Sequence, residues 1–193
     1  MAYTPTILAF AGSLRRDSYN KKLVKIAAEG AVAAGANVEV IDLTEYPLPM
    51  FDEDVEKLTP RPRRLDDLHA KFHAADGFLI ASPEYNSSIS AALKNTIDWL
   101  SRKTPEVNAT GVFQGKVAGL LSTSTGALGG LRALVHLRSI LGNIGVIVLP
   151  QQVAVMKAGD AFTPEGTLKD DAQKASVLKI GAAVATTAAK LRS

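Results

Sequence analysis

The segment Thr6 to Asn20, TILAFAGSLRRDSYN, leaves few folds open to this chain. Ile7-Leu8-Ala9-Phe10-Ala11 is an unbroken apolar run of the length expected for a strand buried on both faces. Gly12 ends it, and Ser13, Arg15, Ser18 and Asn20 follow before a helix-compatible segment from Asn20 to about Ala34. Strand, tight turn and helix start together favour an anion site. The first amides of a helix lack intrahelical partners, and its dipole adds partial positive charge there. Hydroxyls and an arginine can close around phosphate oxygens with charge-assisted hydrogen bonds. The same residues also suit a plain structural role, with Ser18 or Asn20 as helix N-cap and Ser13 and Arg15 in a solvated loop. The chain contains no GxxxxGK[ST], and no GxGxxG follows a strand. A cysteine-based phosphatase loop is excluded by the lack of cysteine. The turn is therefore read as a cradle that binds phosphate without reacting with it.

The remaining chain repeats the strand-then-helix alternation. Strands are expected at Val38–Leu43, Gly77–Ser82, Lys116–Ser122 and Val146–Leu149, the last stopped by Pro150. Helical spacing covers about Arg63–Ala75, Ala91–Ser101 and Leu131–Leu141, and an alanine-rich terminal helix spans Lys169–Leu191. The segment Thr44 to Pro62 carries Pro47, Pro49, Pro60 and Pro62 and is read as a long functional loop. Near-continuous apolar strands alternating with helices imply an α/β chain with a parallel sheet covered on both faces. Right-handed crossovers and a phosphate turn after the first strand favour the flavodoxin-like strand order 2-1-3-4-5. At 193 residues and 47% hydrophobic, the whole chain is expected to form one domain.

Composition removes several functions. Net charge is +3 and basic residues are spread along the chain, without the basic face or aromatic interleaving of a nucleic-acid binder. Arg61, Arg63 and Arg64 are followed at once by Asp66 and Asp67, as at a solvated helix start. No apolar run approaches the ~18 residues of a membrane span. The N-terminal MAYTPTIL lacks the pattern of a secretory leader, and the absence of cysteine suits a reducing cytoplasm. His69 and His73 stand at i, i+4 without a third ligand or the glutamate of HExxH, so they are expected on a solvated helix face rather than on a metal. Trp99 is expected in the core or at a subunit interface.

In the 2-1-3-4-5 order, ligands lie at the carboxyl ends of strands one, three and four. The loop after strand three, Ser82-Pro83-Glu84-Tyr85-Asn86-Ser87-Ser88, offers a pre-formed turn, a flat aromatic face and backbone amides at Asn86 and Ser87. The loop after strand four, Ser122-Thr123-Ser124-Thr125-Gly126-Ala127-Leu128-Gly129-Gly130, is rich in hydroxyls and glycines that permit close backbone approach. A planar, phosphorylated ligand spanning all three loops points to flavin mononucleotide, FMN. Singly, Glu84 could be a surface carboxylate, Tyr85 a core residue and Gly129-Gly130 a turn.

These residues also carry a family resemblance. Gly12, Ser13, Arg15, Ser18 and Asn20 match the motif GS-x-R-x-x-S-x-N of the NADPH-dependent FMN reductase family, the flavodoxin-like group of quinone, azo-dye and chromate reductases. Pro83, Glu84, Tyr85, Asn86 and Ser88 match its PEYN-x-S, and Leu93-Lys94-Asn95-Thr96-Ile97-Asp98-Trp99 is similar to its LKNAIDW. Asp42 to Asp52, with Pro47 and Pro49, resembles its proline-bearing loop. Ser90-Ala91 departs from the family's Pro-Gly at the start of the following helix, which places the rim of the ring pocket in question. The resemblance implies FMN as cofactor and NADPH or NADH as reductant, with flavin rather than side chains carrying the chemistry. It implies phosphate anchoring by Ser13, Arg15, Ser18 and Asn20 beside Tyr19, with His136 outside that cradle. It further implies ring contacts by Pro83, Glu84, Tyr85, Asn86 and Ser87, and a third contact by Ser122, Ser124, Gly126 and Gly129. A small-molecule acceptor and a homodimer or homotetramer follow from the same resemblance, with the proline loop and the helix from Ala91 as candidate interface. Two rival readings share the fold: a flavodoxin-type electron carrier, which the positive net charge disfavours, and a binding module with an empty site.

Overall fold

The computed structural model describes residues 3–57 and 62–192; Pro60 and Arg61 of the proline loop and basic cluster lie outside them. Five strands, β1 (Thr6–Ala11), β2 (Asn37–Ile41), β3 (Gly77–Ala81), β4 (Val117–Thr123) and β5 (Ile147–Val155), form an all-parallel sheet in the order β2-β1-β3-β4-β5. This is the flavodoxin-like topology expected. Seven helices accompany it among the described residues: α1 (Tyr19–Ala33), α2 (Glu53–Lys57), α3 (Leu65–Ala74), α4 (Ala91–Leu100), α5 (Leu131–Asn143), α6 (Ala158–Ala161) and α7 (Asp171–Arg192).

Strand alternation divides the core in two. Leu8, Phe10, Phe78, Ile80 and Leu120 face a layer with Phe72, Trp99, Phe113 and Leu137 from the α3, α4 and α5 side. Ile7, Ala9, Leu79, Val117 and Leu121 face Leu23, Ala27, Val177 and Val184 from α1 and α7. α1 and α7 lie backbone against backbone. A Cβ at Gly30 would overlap the Leu178 carbonyl, and one at Gly181 would overlap that of Ala27. Glycine is required there because no side chain fits between the helices.

Two sequence expectations, the end of β5 and the exposure of His69, are corrected. β5 does not stop at Leu149 but runs through Pro150 to Val155. It is an edge strand with a register shift opposite Ala118 and Leu120, where a residue lacking an N–H is tolerated. Arg138 of α5 covers the same edge, donating to the Val148 carbonyl at 3.3 Å and to Gln152 Oε1 at 3.0 Å, which shields exposed strand groups from pairing with another chain. The proline loop contains short structure of its own, a 3₁₀ turn at Leu43–Glu45 and α2. His69 is buried at 7% exposure rather than solvated, because α3 turns that side toward the sheet.

α4 holds the proline loop in place. Phe51 N–H donates to Asn95 Oδ1 at 2.7 Å, Asn95 Nδ2 donates to the Pro49 carbonyl at 2.9 Å, and Trp99 Nε1 donates to that carbonyl at 2.8 Å. Phe51 meets the Trp99 ring edge-on, with centroids 5.2 Å apart. The LKNTIDW segment is thus a fastening for the loop, and Trp99 is a core residue as expected.

At the opposite end of the sheet, Lys116 is buried with its ammonium donating to the carbonyls of Phe72 and His73 at the end of α3. Burial pushes this ammonium down to about 8, against an ordinary value of 10.5. The unfolded chain therefore holds the proton over a window in which the folded chain has released it. Folding stability is expected to rise with pH between about 8 and 10.5. Urea unfolding across that window checks this, with Lys116→Met lacking the rise; a flat wild-type curve would refute it.

Candidate functional site

The carboxyl ends of β1, β3 and β4 converge on one cleft of about 150 Å³. Its walls come from Ser13, Arg15, Ser18, Tyr19 and Asn20 on the first loop and Pro83, Glu84 and Tyr85 on the second. Thr123, Ser124 and Thr125 on the third complete it.

The first loop leaves β1 through Gly12, whose N–H donates to the Ala81 carbonyl of β3 at 2.9 Å. Its own carbonyl accepts from the Ser90 hydroxyl, which also caps α4 by accepting from Leu93 N–H at 3.1 Å. Ser90, where the family carries proline, thus begins the helix and ties it to the first loop. Ser18 is the N-cap residue of α1 with extended backbone, yet its hydroxyl makes no capping bond, and no acidic residue occupies the first turn. Ser13 and Ser18 are each 4% exposed. Among the described residues Arg16 pairs with Asp17, and Lys21 pairs with Asp42 at 2.6 Å. Arg15 is the cation of this turn with no carboxylate beside it.

Asn20 lines the cleft and also bonds within the protein. Its Nδ2 donates to the Thr123 carbonyl at 2.9 Å, and its Oδ1 accepts from Thr123 N–H at 3.0 Å. The side-chain amide acts as one more rung of sheet, joining the start of α1 to the end of β4. Tyr19 stacks on Phe162, with centroids 5.4 Å apart.

The second loop closes as a two-residue hairpin. Tyr85 N–H donates to the Ser88 carbonyl at 2.9 Å, and Ser88 N–H to the Tyr85 carbonyl at 3.0 Å. Asn86 and Ser87 sit between them at φ 50° and 65°, the left-handed pair of a type I′ turn. Their amides take no part in those two bonds and stand beside the half-exposed Tyr85. The His136 Nδ1 lies 2.9 Å from the Ser88 hydroxyl of this turn.

Of the residues expected on the third loop, Ser124 lines the cleft. Ser122 is fully buried and donates to the Ser82 carbonyl at 2.6 Å, joining β4 to β3 away from the cleft. Gly126 and Gly129 are not among its walls. Gly129, at φ 60°, packs on the backbone of Val155, and Gly130, at φ 88°, leaves no room for a Cβ beside the Ser122 hydroxyl. These glycines serve the protein's own packing. Thr123 and Thr125 line the cleft beside Ser124, and the run of four hydroxyl residues at the end of β4 is the signal that marks them.

Glu84 lines the cleft, and its carboxylate is bonded to the start of α5. It accepts from Arg132 N–H at 3.1 Å and Ala133 N–H at 3.4 Å at the start of α5, and from the Arg132 guanidinium. Burial pushes this carboxyl up, but the Arg132 guanidinium and the α5 amides outweigh it and hold the group below the usual carboxylate range.

The donor set fits the anionic end of FMN. The cleft combines buried hydroxyls, an uncapped helix start and an arginine that forms no ion pair among the described residues, while its lining carboxylate, Glu84, is paired with Arg132. Its volume lies below the ~300 Å³ lower end of small-molecule pockets, a size that suits a phosphate and its chain.

Comparison with known proteins settles the family. Residues 5–160 match the family of NADPH-dependent FMN reductases. The chain belongs to that family. It is 37% identical over 166 residues to an NAD(P)H-dependent FMN reductase of Pseudomonas aeruginosa, covering 86% of this chain and 85% of the relative. It is 33% identical over 199 residues to an NAD(P)H:quinone oxidoreductase of Solanum tuberosum, covering 100% and 98%. Among solved structures it is similar to the flavoenzyme NAD(P)H:(acceptor) oxidoreductase FerB of Paracoccus denitrificans. That match has a TM-score of 0.80 and 26% identity and covers 97% of this chain and 98% of FerB. As an FMN reductase family member the chain is an oxidoreductase with FMN as cofactor and a reduced nicotinamide as co-substrate.

Proposed function

We propose that the protein holds FMN in the cleft at the ends of β1, β3 and β4 and uses NAD(P)H to reduce a small planar acceptor, with a quinone as the first class to assay. The observation that carries this reading is the meeting, in one cleft, of the uncapped α1 start with Ser13, Ser18 and Arg15 and of the Tyr85 hairpin. Ser13 and Ser18 hydroxyls, the α1 amides and Arg15 bind the phosphate. Asn20 binds Thr123 and thereby keeps the first and third loops at a fixed separation. The Asn86 and Ser87 amides face the polar edge of the ring, and Tyr85 limits the face on which substrates stack. When bound, FMN supplies the acceptor for a hydride and the donor of two electrons to the oxidant. The chain's part is to bind, orient and polarise, and no side-chain nucleophile is required.

Azo compounds, free flavins and chromate are further acceptor classes for this site, and the reading places the enzyme in the cytoplasm as one folding unit of the full chain. A homodimer, or a tetramer built from it, is supported by an apolar hollow of about 460 Å³ beside the first loop. Tyr46 and Leu48 line it with Leu14 and Met50, which are 54% and 71% exposed. A second copy seated there would also close the open rim of the cleft.

Purified protein is expected to be yellow and to bleach on anaerobic addition of NADPH or NADH, with colour returning when a quinone is added. In size-exclusion chromatography with light scattering it is expected at two or four chain masses. Protein that stays colourless after incubation with FMN would overturn the assignment, and a monomer would overturn the assembly.

A further inference from the structure

α1 and α5 follow the loops after β1 and β4, and the structure treats their first turns in opposite ways. α1 starts with no side-chain cap and no acidic residue in its first turn. α5 starts at Gly130, which has no side chain to offer as a cap and cannot acquire one beside the Ser122 hydroxyl. The missing cap arrives from another loop. Glu84, 48 positions away in sequence, accepts from the Arg132 amide at 3.1 Å and from the Arg132 Nε at 2.8 Å. The Glu84 side chain is 9% exposed while Arg132 is 56% exposed, so the carboxylate is the inner partner and the guanidinium covers it.

This bridge does two things at once. It ties the hairpin bearing Tyr85, Asn86 and Ser87 to α5, holding a turn whose two central residues occupy the left-handed region. It also sets a full negative charge against the positive end of α5, cancelling the partial charge that would otherwise attract an anion. Only the α1 end is left uncompensated.

We infer that Glu84 is a positioning residue. Its carboxylate, bridged to α5 and Arg132, fixes the hairpin that meets the flavin ring. This rests on the FMN reading above and concerns a side chain that touches α5 rather than the ligand. The electrostatic consequence has a sign. Removing the carboxylate leaves Arg132 and the α5 dipole unopposed near the ring, which favours the anionic reduced flavin. Removing Arg132 leaves the carboxylate unopposed and disfavours it.

The test uses full-length Glu84→Gln, Glu84→Ala and Arg132→Ala, with FMN and with riboflavin, which lacks the phosphate. Both Glu84 variants are expected to weaken FMN and riboflavin by the same factor, about tenfold, because the ring hold is what loosens. The bound flavin's midpoint potential is expected to rise in Glu84→Gln and fall in Arg132→Ala. A role confined to stability would move the urea midpoint and leave the potential unchanged. Glu84→Gln keeps the side-chain shape and carries the test if Glu84→Ala does not fold. Wild-type affinity for both ligands and an unshifted potential in Glu84→Gln would overturn the inference. A wild-type protein that binds neither ligand would instead overturn the functional reading beneath it.

Discussion

Arg15→Ala is expected to bind FMN about 10- to 100-fold more weakly than the wild type while binding riboflavin unchanged. A hydrogen bond between charged partners contributes about 1.5–3 kcal/mol, and about 1.4 kcal/mol corresponds to a factor of ten. The estimate applies to Arg15 because its neighbours are already engaged: Arg16 lies against Asp17, and Lys21 reaches Asp42. Neither can replace the lost guanidinium without breaking an existing pair. Arg15 is exposed and holds no other part of the fold together, so thermal stability of the cofactor-free protein should not change. Fluorescence titration with both ligands measures the effect, with Lys94→Ala as control, since that ammonium is paired with Asp98 on α4. An Arg15 variant with wild-type FMN affinity would remove the cradle from the first loop.

Trp99→Ala is expected to cost about 3–5 kcal/mol of folding stability, the range for truncating a large buried aromatic. Trp99 is 2% exposed, packs on Phe51 and donates to the Pro49 carbonyl. Truncation leaves a cavity and removes one of the side chains that hold the proline loop, Asn95 being another. Trp99→Phe separates the contributions, because it keeps most of the packing and loses only the indole N–H, a change of about 1 kcal/mol. Urea unfolding followed by circular dichroism reads both. A Trp99→Ala loss below that of Trp99→Phe would mean the ring is not the keystone of this contact.

The layered α/β architecture was legible because its signals are local. Buried strands read as apolar runs, helices read as 3.6-residue spacing, and Gly12 and Pro83 mark strand ends. Where the reading failed, the cause lay outside the local window. Pro150 ends a strand by its chemistry, yet here it occupies the sheet edge, and edge position is a property of topology. His69 was assigned to solvent by the polar residues around it, while α3 packs that side inward.

The candidate site follows the same division. Its loops could be located from strand ends, but the direction of each side chain could not. Asn20 sits in a phosphate motif and spends its amide on Thr123, which is 103 positions away. Ser122 and Thr123 are adjacent hydroxyl residues, and strand alternation sends one to Ser82 and leaves the other lining the cleft. Glu84 is placed at the cleft by its position between Pro83 and Tyr85, but only the fold brings α5 to its carboxylate.

The backbone contact between α1 and α7 reaches beyond packing. α1 begins at the cofactor turn, and α7 lies wholly outside residues 5–160, the portion by which the family is recognised. If the first loop holds the nucleotide as proposed, that hold has a foundation in α7, at the tail of the chain and outside the family match. Relatives that keep every signature residue but remodel that tail would stand on different footings, and their hold on the cofactor would differ accordingly.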